Sequence, residues 1–280
     1  MKMKKSHLVP TIISTVIVCL FAVFPFLWMI STAFKPSAEV FSYPPSFIPR
    51  EPHLDGFREI LQVASPTFNF LNWAKNSIKI SAFTTLFSLI IATMGGYGIS
   101  RFRFFGRKIL AYTILVTQVI PGSVLIVPLY IIMSNMNLLD TSFGLVLAYV
   151  TFSVPFCTWM MKGFFDTIPS SLDEAAMVDG AGRFAIFARI IVPLTIPGLL
   201  ATGIFSFITG WNEFLFASVF MSSYANWTLP VGISSFQGQY ETNWATLMAG
   251  SLFITVPVVV VFLVLQKYLV GGMTAGAVKQ

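Results

Sequence analysis

The chain has 280 residues, of which 56% are hydrophobic and 10% are charged, with a net charge of +6 and a mean hydropathy of +0.80. Soluble globular domains carry about 25% charged residues, so this composition excludes an ordinary soluble enzyme or binding domain. It predicts an all-α, polytopic membrane protein with a single transmembrane domain over residues 1–280.

Six apolar segments are long enough to cross a bilayer. A helix needs about 20 mostly apolar residues to span a hydrocarbon core of about 30 Å. None of the segments has the alternating pattern of outer-membrane strands, which favours helices over a barrel. The sequence therefore predicts six transmembrane helices at residues 9–33, 77–100, 109–133, 143–161, 194–221 and 245–266.

The first segment follows a lysine-rich start, which is also typical of a cleaved signal peptide. Its length and the absence of an A-x-A-like site around Ala33 favour a retained helix. The next loop, residues 34–76, is rich in proline over its first half and is not expected to form regular structure there. This loop either docks a partner or simply returns the chain to the membrane.

Spans two and three contain residues that alter helix packing. Span two has Gly95, Gly96 and Gly98, which allow close approach of another helix. Span three has Pro121, Gly122 and Pro128, which interrupt its hydrogen-bond ladder. Such kinks fit the lining of a transport pathway, but they also occur in ordinary membrane helices.

Most of the 17 basic residues fall on one side of the predicted helices. By the positive-inside rule that side is cytoplasmic, and both termini are then cytoplasmic. The net positive charge follows from this asymmetry and is not read as a nucleic-acid signal. The basic residues on the predicted cytoplasmic side are Lys2, Lys4, Lys5, Arg101, Arg103, Arg107, Lys108, Lys162, Arg183, Arg189, Lys267 and Lys279.

Glu213 is predicted to lie well inside span five, beside Trp211 and Asn212. A carboxylate inside a membrane indicates a functional group with a partner or a water-filled cavity. The alternative is a carboxylate that reaches the outer interface. We take as candidate pathway or gate residues Gln118, Pro121, Trp211, Asn212 and Glu213.

A polar insert at residues 169–193 is the most unusual part of this apolar chain. Ser171 and Glu174 have the spacing of a capping box, in which the serine accepts from a backbone N–H at the start of a helix. Asp179-Gly180 predicts a turn, and a second amphipathic piece runs to Pro193. The small side chains of Ala175 and Ala176 leave room for another surface to approach.

An alternative is that the insert lies as a helix on the lipid surface. That arrangement explains its apolar face, but it places Asp173, Glu174 and Asp179 against an anionic leaflet. We therefore expect a protein to grip the insert from outside the membrane.

The spacing Glu174-Ala-Ala, Gly180 and Ile190-x-Val-Pro193 resembles the EAA loop of bacterial ABC importer permeases, with Val192 in place of the usual leucine. Further segments are similar to the carbohydrate-uptake branch, and within it to the MalG-like half of the permease pair. They are Asn76-Ser, Pro128-Leu-Tyr130, Asp179-Gly-Ala181, Trp211-Asn-Glu-Phe, Gly238-Gln-Tyr240 and residues 271–279.

This resemblance implies a type I ABC importer permease fold with a cytoplasmic coupling (EAA) helix, in a bacterial plasma (inner) membrane. The insert would seat on an ATPase subunit, so that nucleotide-driven closure moves the spans by alternating access. Glu174 would anchor the coupling helix and Gly180 would permit its bend. The coupling residues implied are Glu174, Ala175, Ala176, Asp179, Gly180, Ala181, Arg183 and Pro193.

The resemblance also implies partners: a second, MalF-like permease, two ATPase subunits, and an extracytoplasmic sugar-binding protein, with membrane lipid around the spans. The loop of Gln237, Gly238, Gln239 and Tyr240 would dock the binding protein, although aromatic and amide groups equally suit an interfacial belt. The tail at 271–279 would reach between the ATPase subunits.

No cofactor or metal site is expected in this chain. Cys19, Cys157, His7 and His53 stand alone, and no G-x-x-x-x-G-K-[ST] loop is present to hold phosphates. ATP and Mg would be used by the partner subunits, so the chain is not expected to be an enzyme.

The expected function is permease for a di- or oligosaccharide. Other solutes of ABC importers, a polyol or glycerol phosphate, remain alternatives. A stand-alone secondary carrier would need no ATPase, and a membrane-embedded enzyme would need several catalytic groups at one depth.

Overall fold

The structure is a computed structural model that describes residues 5–62, 68–238 and 242–277. Within these ranges the chain is helical, apart from loops and isolated bridge residues, which include the antiparallel pair Gln237 and Thr242. The α-helices are α1 Lys5–Ala33, α2 Ser37–Val40, α3 Asp55–Gln62, α4 Phe70–Arg101, α5 Arg107–Val116, α6 Ile126–Asn135, α7 Ser142–Asp166, α8 Ser171–Val178, α9 Arg183–Ala185, α10 Val192–Leu194, α11 Ile196–Trp211, α12 Leu215–Phe220, α13 Leu229–Ser234 and α14 Trp244–Ala277.

Four helices in the described residues are long and apolar enough to cross a membrane: α1, α4, α7 and α14. Two bent pairs raise the number to six if each pair is one span. The first pair is Arg107–Val119 with Gly122–Asn135, bent by 90°, and the second is Arg183–Leu194 with Ile196–Trp211, bent by 76°.

The break in the first pair lies at Pro121. Ile120 is extended (φ −75°, ψ 118°), as expected for a residue before proline, and Pro121 is extended as well. Short turns of 3-10 helix lie on each side of the break, at Thr117–Val119 and Gly122–Leu125. Pro128, in contrast, does not kink the chain, because it lies in the first turn of α6 where its missing N–H breaks no helical bond.

Contacts divide the chain into two units, Met1–Phe70 with Gly232–Val256, and Leu71–Val231 with Pro257–Gln280. In the first unit α3 packs on the beginning of α14. Gly56 lies against the backbone of Ala245, where an added Cβ would come within 2.8 Å of the carbonyl oxygen. The Glu59 carboxylate accepts hydrogen bonds from Asn243 and Thr246, at 2.8 and 2.5 Å. The loop before span two therefore contains a docked helix that the proline-rich sequence did not predict.

Two apolar clusters lie among the described residues of the second unit. One gathers α7, α12 and the nearby ends of α4 and α6 around Leu145 and Phe220. The other joins α4 and α7 to the insert through Ala92, Cys157 and Phe165. The second cluster is the one that positions the candidate site.

The glycines of α4 differ in their surroundings. A Cβ on Gly96 would lie 2.9 Å from the backbone nitrogen of Lys162 and from the Cβ of Met161, so α4 and α7 are in close contact there. A Cβ on Gly98 would meet no atom within 4 Å. The predicted close approach is therefore present at Gly96 and absent at Gly98.

We expect Gly96→Ala to destabilise the protein and Gly98→Ala to leave it unchanged or slightly more stable. The methyl group at position 96 forces α7 away from α4, whereas at position 98 it adds only the helix preference of alanine, about 1 kcal/mol. Thermal denaturation of the two purified variants in detergent measures the difference. Equal melting temperatures would show that the two helices separate without cost.

A loop contact at the other end of the second unit is pH-dependent. The Asp140 carboxylate accepts hydrogen bonds from the backbone nitrogens of Ser222 and Ser223, each at 3.1 Å, and from the Ser223 hydroxyl. Burial alone would raise the pKa of Asp140, but these hydrogen bonds hold the pKa below its ordinary value of 3.8. The stabilisation is therefore present above this value and is lost as the pH falls through the lowered pKa.

Candidate functional site

The candidate site is the insert at residues 169–193, which follows α7 and leads into α11. Its first helix, α8, begins at Ser171 and is preceded by Ser170, and no side chain caps its first turn. The capping box predicted for Ser171 and Glu174 is therefore wrong. Ser171 is already the first helical residue, so its hydroxyl is not at the N-cap position.

The turn predicted at Asp179-Gly180 is confirmed. Gly180 has φ +82°, its N–H donates to the Met177 carbonyl at 3.1 Å, and the Ala181 N–H donates to the Ala176 carbonyl at 2.9 Å. These two bonds form a Schellman motif, which satisfies the last carbonyls of α8. A side chain at position 180 would meet no atom within 4 Å, so the left-handed backbone, and not crowding, is what favours glycine.

The two alanines of the motif have different environments. Ala176 is buried and belongs to the apolar cluster of α4 and α7, whereas Ala175 is exposed. The prediction that both leave room for an approaching surface is therefore wrong for Ala176. Its small side chain lets α8 lie close to its own chain.

An ion pair that sequence reasoning missed holds α8 to the end of α4. Arg101 Nε lies 3.2 Å from Asp173 Oδ2, and both side chains are 12% exposed. The Tyr97 hydroxyl donates to Asp173 Oδ1 at 3.2 Å, and the Arg101 guanidinium donates to the Ile168 carbonyl at 2.9 Å. Asp173 thus faces the protein, while its neighbour Glu174 is exposed.

Aromatic contacts surround this ion pair. The Tyr97 ring centroid lies 4.8 Å from that of Phe187 and 5.6 Å from that of Phe165. Phe102 lies 6.0 Å from Tyr97, and the Arg183 guanidinium lies 5.2 Å from the Phe102 centroid. The two halves of the insert are consequently fixed to the same end of α4.

The second half of the insert contains one wide turn. Residues Ile186–Ile191 form a π-helix, followed by Val192 and Pro193 in α10. Proline inside a helix removes a backbone donor and crowds the preceding turn, and a wider turn before it relieves both effects. The side chains of Ile186 and Ile191 are only 2% and 0% exposed, so the two buried residues of this turn are five positions apart.

Several apolar side chains of the insert point away from the chain. Val178 is 87% exposed and Phe184 is 79% exposed, and Leu172 and Met177 are each more than 40% exposed. Beside them lies a cavity of about 180 Å³. Its lining includes Glu174, Met177 and Arg183 of the insert, and Tyr97, Arg101 and Phe102 at the end of α4. We call the exposed set Leu172, Glu174, Met177, Val178 and Phe184 the docking face.

The predicted pathway residues are not all where the sequence placed them. Helix α11 ends at Trp211, which is buried and stacks on Phe207 with ring centroids 5.8 Å apart. Asn212 follows as its C-cap, and Glu213 lies in the break before α12, not inside a continuous span at 194–221. The Glu213 carboxylate accepts from the N–H groups of Phe216 and Ala217, at 2.8 and 3.1 Å.

This geometry gives Glu213 a capping contact at the positive end of α12, which stabilises a carboxylate without a proton relay. The other two candidates lie at the break of span three. Gln118 donates from Nε2 to the Phe152 carbonyl at 3.3 Å, and Pro121 is at the 90° bend. A pathway role for these residues stays a prediction.

The predicted binding-protein loop is described only in part. Gln237 and Gly238 are exposed, and Gln237 pairs with Thr242 across the isolated bridge. Gln239 and Tyr240 lie outside the described residues, as does Lys279 of the tail. The backbone of the tail is helical as far as Ala277.

The fold matches solved ABC importers. It superimposes with a TM-score of 0.80 and 23% identity, over 96% of this chain and 99% of the other, on a chain of a bacterial ABC transporter involved in the import of the acidic polysaccharide alginate. The chain therefore shares the fold of that transporter chain.

The sequence comparisons agree. The diacetylchitobiose uptake system permease protein DasC of Streptomyces coelicolor is 34% identical over 95% of both chains. The trehalose/maltose transport system permease protein MalG of Thermococcus litoralis is 35% identical over 96% of this chain and 95% of that protein. The family model for binding-protein-dependent transport system inner membrane components matches residues 85–275, and the chain belongs to this family.

Proposed function

We propose that the chain is the permease subunit of an ATP-driven importer for a di- or oligosaccharide in the bacterial inner membrane. The proposal is carried by its full-length likeness to permeases named for uptake of diacetylchitobiose and of trehalose or maltose. In this arrangement a second permease completes the pathway and an extracytoplasmic binding protein delivers the sugar. Both termini and the insert lie on the cytoplasmic side.

Two ATPase subunits bind beneath the permeases and use ATP and Mg, and the chain itself hydrolyses nothing. The insert is the coupling element, and its docking face is the surface that contacts an ATPase subunit. The exposure of Val178 and Phe184 supports this, since large apolar side chains outside a membrane indicate a protein contact. The ion pair of Asp173 with Arg101 and the cluster around Tyr97 transmit motion from α8 to α4.

Uptake of radiolabelled sugars by a strain lacking this chain tests the proposal. We expect loss of ATP-dependent uptake of one di- or oligosaccharide, restored by the chain on a plasmid. Transport by the purified chain alone in liposomes would instead indicate a secondary carrier. Loss of uptake of a polyol or of glycerol phosphate, with sugar uptake intact, would keep the permease class and change its substrate.

The exposed carboxylate of Glu174 is the proposed anchor, and Glu174→Lys should lower the affinity for the ATPase subunit, followed by co-purification, by about thirtyfold or more. Truncation of one partner of a charge pair at an interface costs about 2 kcal/mol or more, and reversal adds repulsion. Glu51→Lys, at an exposed acid of the first loop, is the control and should co-purify the ATPase normally. An unchanged yield for Glu174→Lys contradicts the anchoring role.

A further inference from the structure

A short basic loop connects α4 to α5 at the same end of the second unit as the insert. We define the basic loop as residues 102–108, Phe-Arg-Phe-Phe-Gly-Arg-Lys, which are the connector and the first two residues of α5. α4 ends at Arg101 and α5 begins at Arg107, so few residues separate two helices of candidate spans. A connector of this length stays at the membrane surface, unlike the longer insert.

The cations of the basic loop have no acidic partner. Arg103, Arg107 and Lys108 form no salt bridge in the described part of the chain, whereas the neighbouring Arg101 is paired with Asp173. The sequence also contains no acid between Glu59 and Asp140. Three positive charges within six residues are therefore left without a counter-ion from their own segment.

Phenylalanines alternate with these cations. Phe105 is fully exposed and Phe104 is 46% exposed. Gly106, with φ +82°, reverses the chain directly after them, so the rings project from the turn without packing behind it. Residues Arg103–Ile109 surround a concavity of about 580 Å³. Cations around a recess, flanked by exposed rings, match the headgroup and the upper acyl region of a lipid.

We propose that the basic loop binds the phosphate-bearing headgroup of an anionic phospholipid in the leaflet on the insert's side of the membrane. Arg103, Arg107 and Lys108 contact the phosphate, and Phe104 and Phe105 enter the acyl boundary. A lipid is favoured over a protein partner because the loop joins two candidate spans directly and its exposed rings require an apolar medium at that depth. The adjacent Phe102, which contacts Tyr97 and Arg183, connects the lipid site to the base of the insert.

Native mass spectrometry of the purified full-length chain with equimolar phosphatidylglycerol and phosphatidylcholine tests this site. The wild-type chain should retain phosphatidylglycerol preferentially, and the preference should fall at high salt. Each basic residue at an anionic surface contributes roughly a five-fold preference, so Arg103→Gln with Arg107→Gln should lower it roughly 25-fold, and Arg103→Gln alone about five-fold.

Two controls isolate the site. Lys75→Gln with Lys79→Gln removes the same number of charges from exposed positions nearer the other end of α4, and should keep the lipid preference. Arg103→Lys with Arg107→Lys preserves charge and should also keep it. Inorganic phosphate at millimolar concentration should not displace the lipid, because it lacks acyl chains.

Four outcomes overturn the proposal. One is an unchanged phosphatidylglycerol preference in the Arg103 and Arg107 glutamine variants. Another is an equal loss of that preference in the control variant Lys75→Gln with Lys79→Gln. The third is displacement of the lipid by inorganic phosphate, which would indicate a free-anion site. The fourth is loss of ATPase co-purification in the Arg103 and Arg107 glutamine variants with their lipid preference intact, which would indicate a protein partner. The lipid measurement uses the permease alone, so its result is independent of the sugar carried.

Discussion

Gly180→Val should abolish ATP-driven sugar uptake while the protein still accumulates in the membrane. Gly180 has φ +82°, and a β-branched residue in this conformation is strained by about 1–2 kcal/mol or more. Relief of the strain requires the Schellman turn to open, which separates α8 from the second half of the insert. Uptake of radiolabelled sugar, with membrane content measured by immunoblot, gives the result.

Gly182 provides a matched control only two residues away. It has an extended backbone (φ −70°, ψ 153°), and an added Cβ would meet no atom within 4 Å. Gly182→Val should therefore retain most of the uptake, and Gly180→Asn should retain more than Gly180→Val, because asparagine tolerates the left-handed region. Normal uptake by Gly180→Val would remove the turn from the coupling mechanism.

Asp173→Asn should lower uptake at least tenfold and reduce the melting temperature of the purified protein. The change leaves Arg101 largely buried without a counter-charge, and breaking a buried ion pair in this way costs about 3–5 kcal/mol. The base of α8 then loses its charge contact with α4, although its docking face is unchanged. ATPase co-purification should consequently decline less than uptake.

The pair of Lys162 with Asp166 on α7 is the comparison. Its side chains are 21% and 41% exposed and lie four residues apart on one helix, so Asp166→Asn should cost less than about 1 kcal/mol. The reversed pair Arg101→Asp with Asp173→Arg should recover part of the uptake lost by either single reversal. If Asp173→Asn and Asp166→Asn behave alike, the buried pair does not transmit motion.

Four of the predicted spans overlap long helices in the described residues, because burial of an uninterrupted apolar segment in lipid leaves a helix as the stable backbone. The helix ends were harder to predict. The exit from the helix at Trp211 has no proline, and it depends on Glu213 supplying acceptors to the N–H groups of the next helix. The sequence places Glu213 in an apolar run but does not show which backbone groups it meets.

In the candidate site as well, local features are predictable from the sequence, whereas contacts between distant residues are not. Gly180 and its turn follow from local chain chemistry and were predictable. The contact of Asp173 with Arg101 joins residues 72 positions apart in the sequence, and the sequence alone indicates Arg101 only as one of the charges that orient the protein. Conversely, Ser171 satisfied a local motif that the tertiary fold did not use. Pairings between distant elements are set by packing, which a single sequence does not display.

The π-helical turn at Ile186–Ile191 has a geometric consequence for the whole insert. Such a turn holds one residue more than the α-helical ladder would, and each residue of an α-helix advances the chain by about 100° around its axis. Deleting a single residue from this turn would therefore rotate the preceding segment, with Phe184 and Arg183, by about that angle relative to α11. The number of residues in the turn, independently of their chemistry, therefore sets the direction in which Arg183 and Phe184 project from the insert relative to α11.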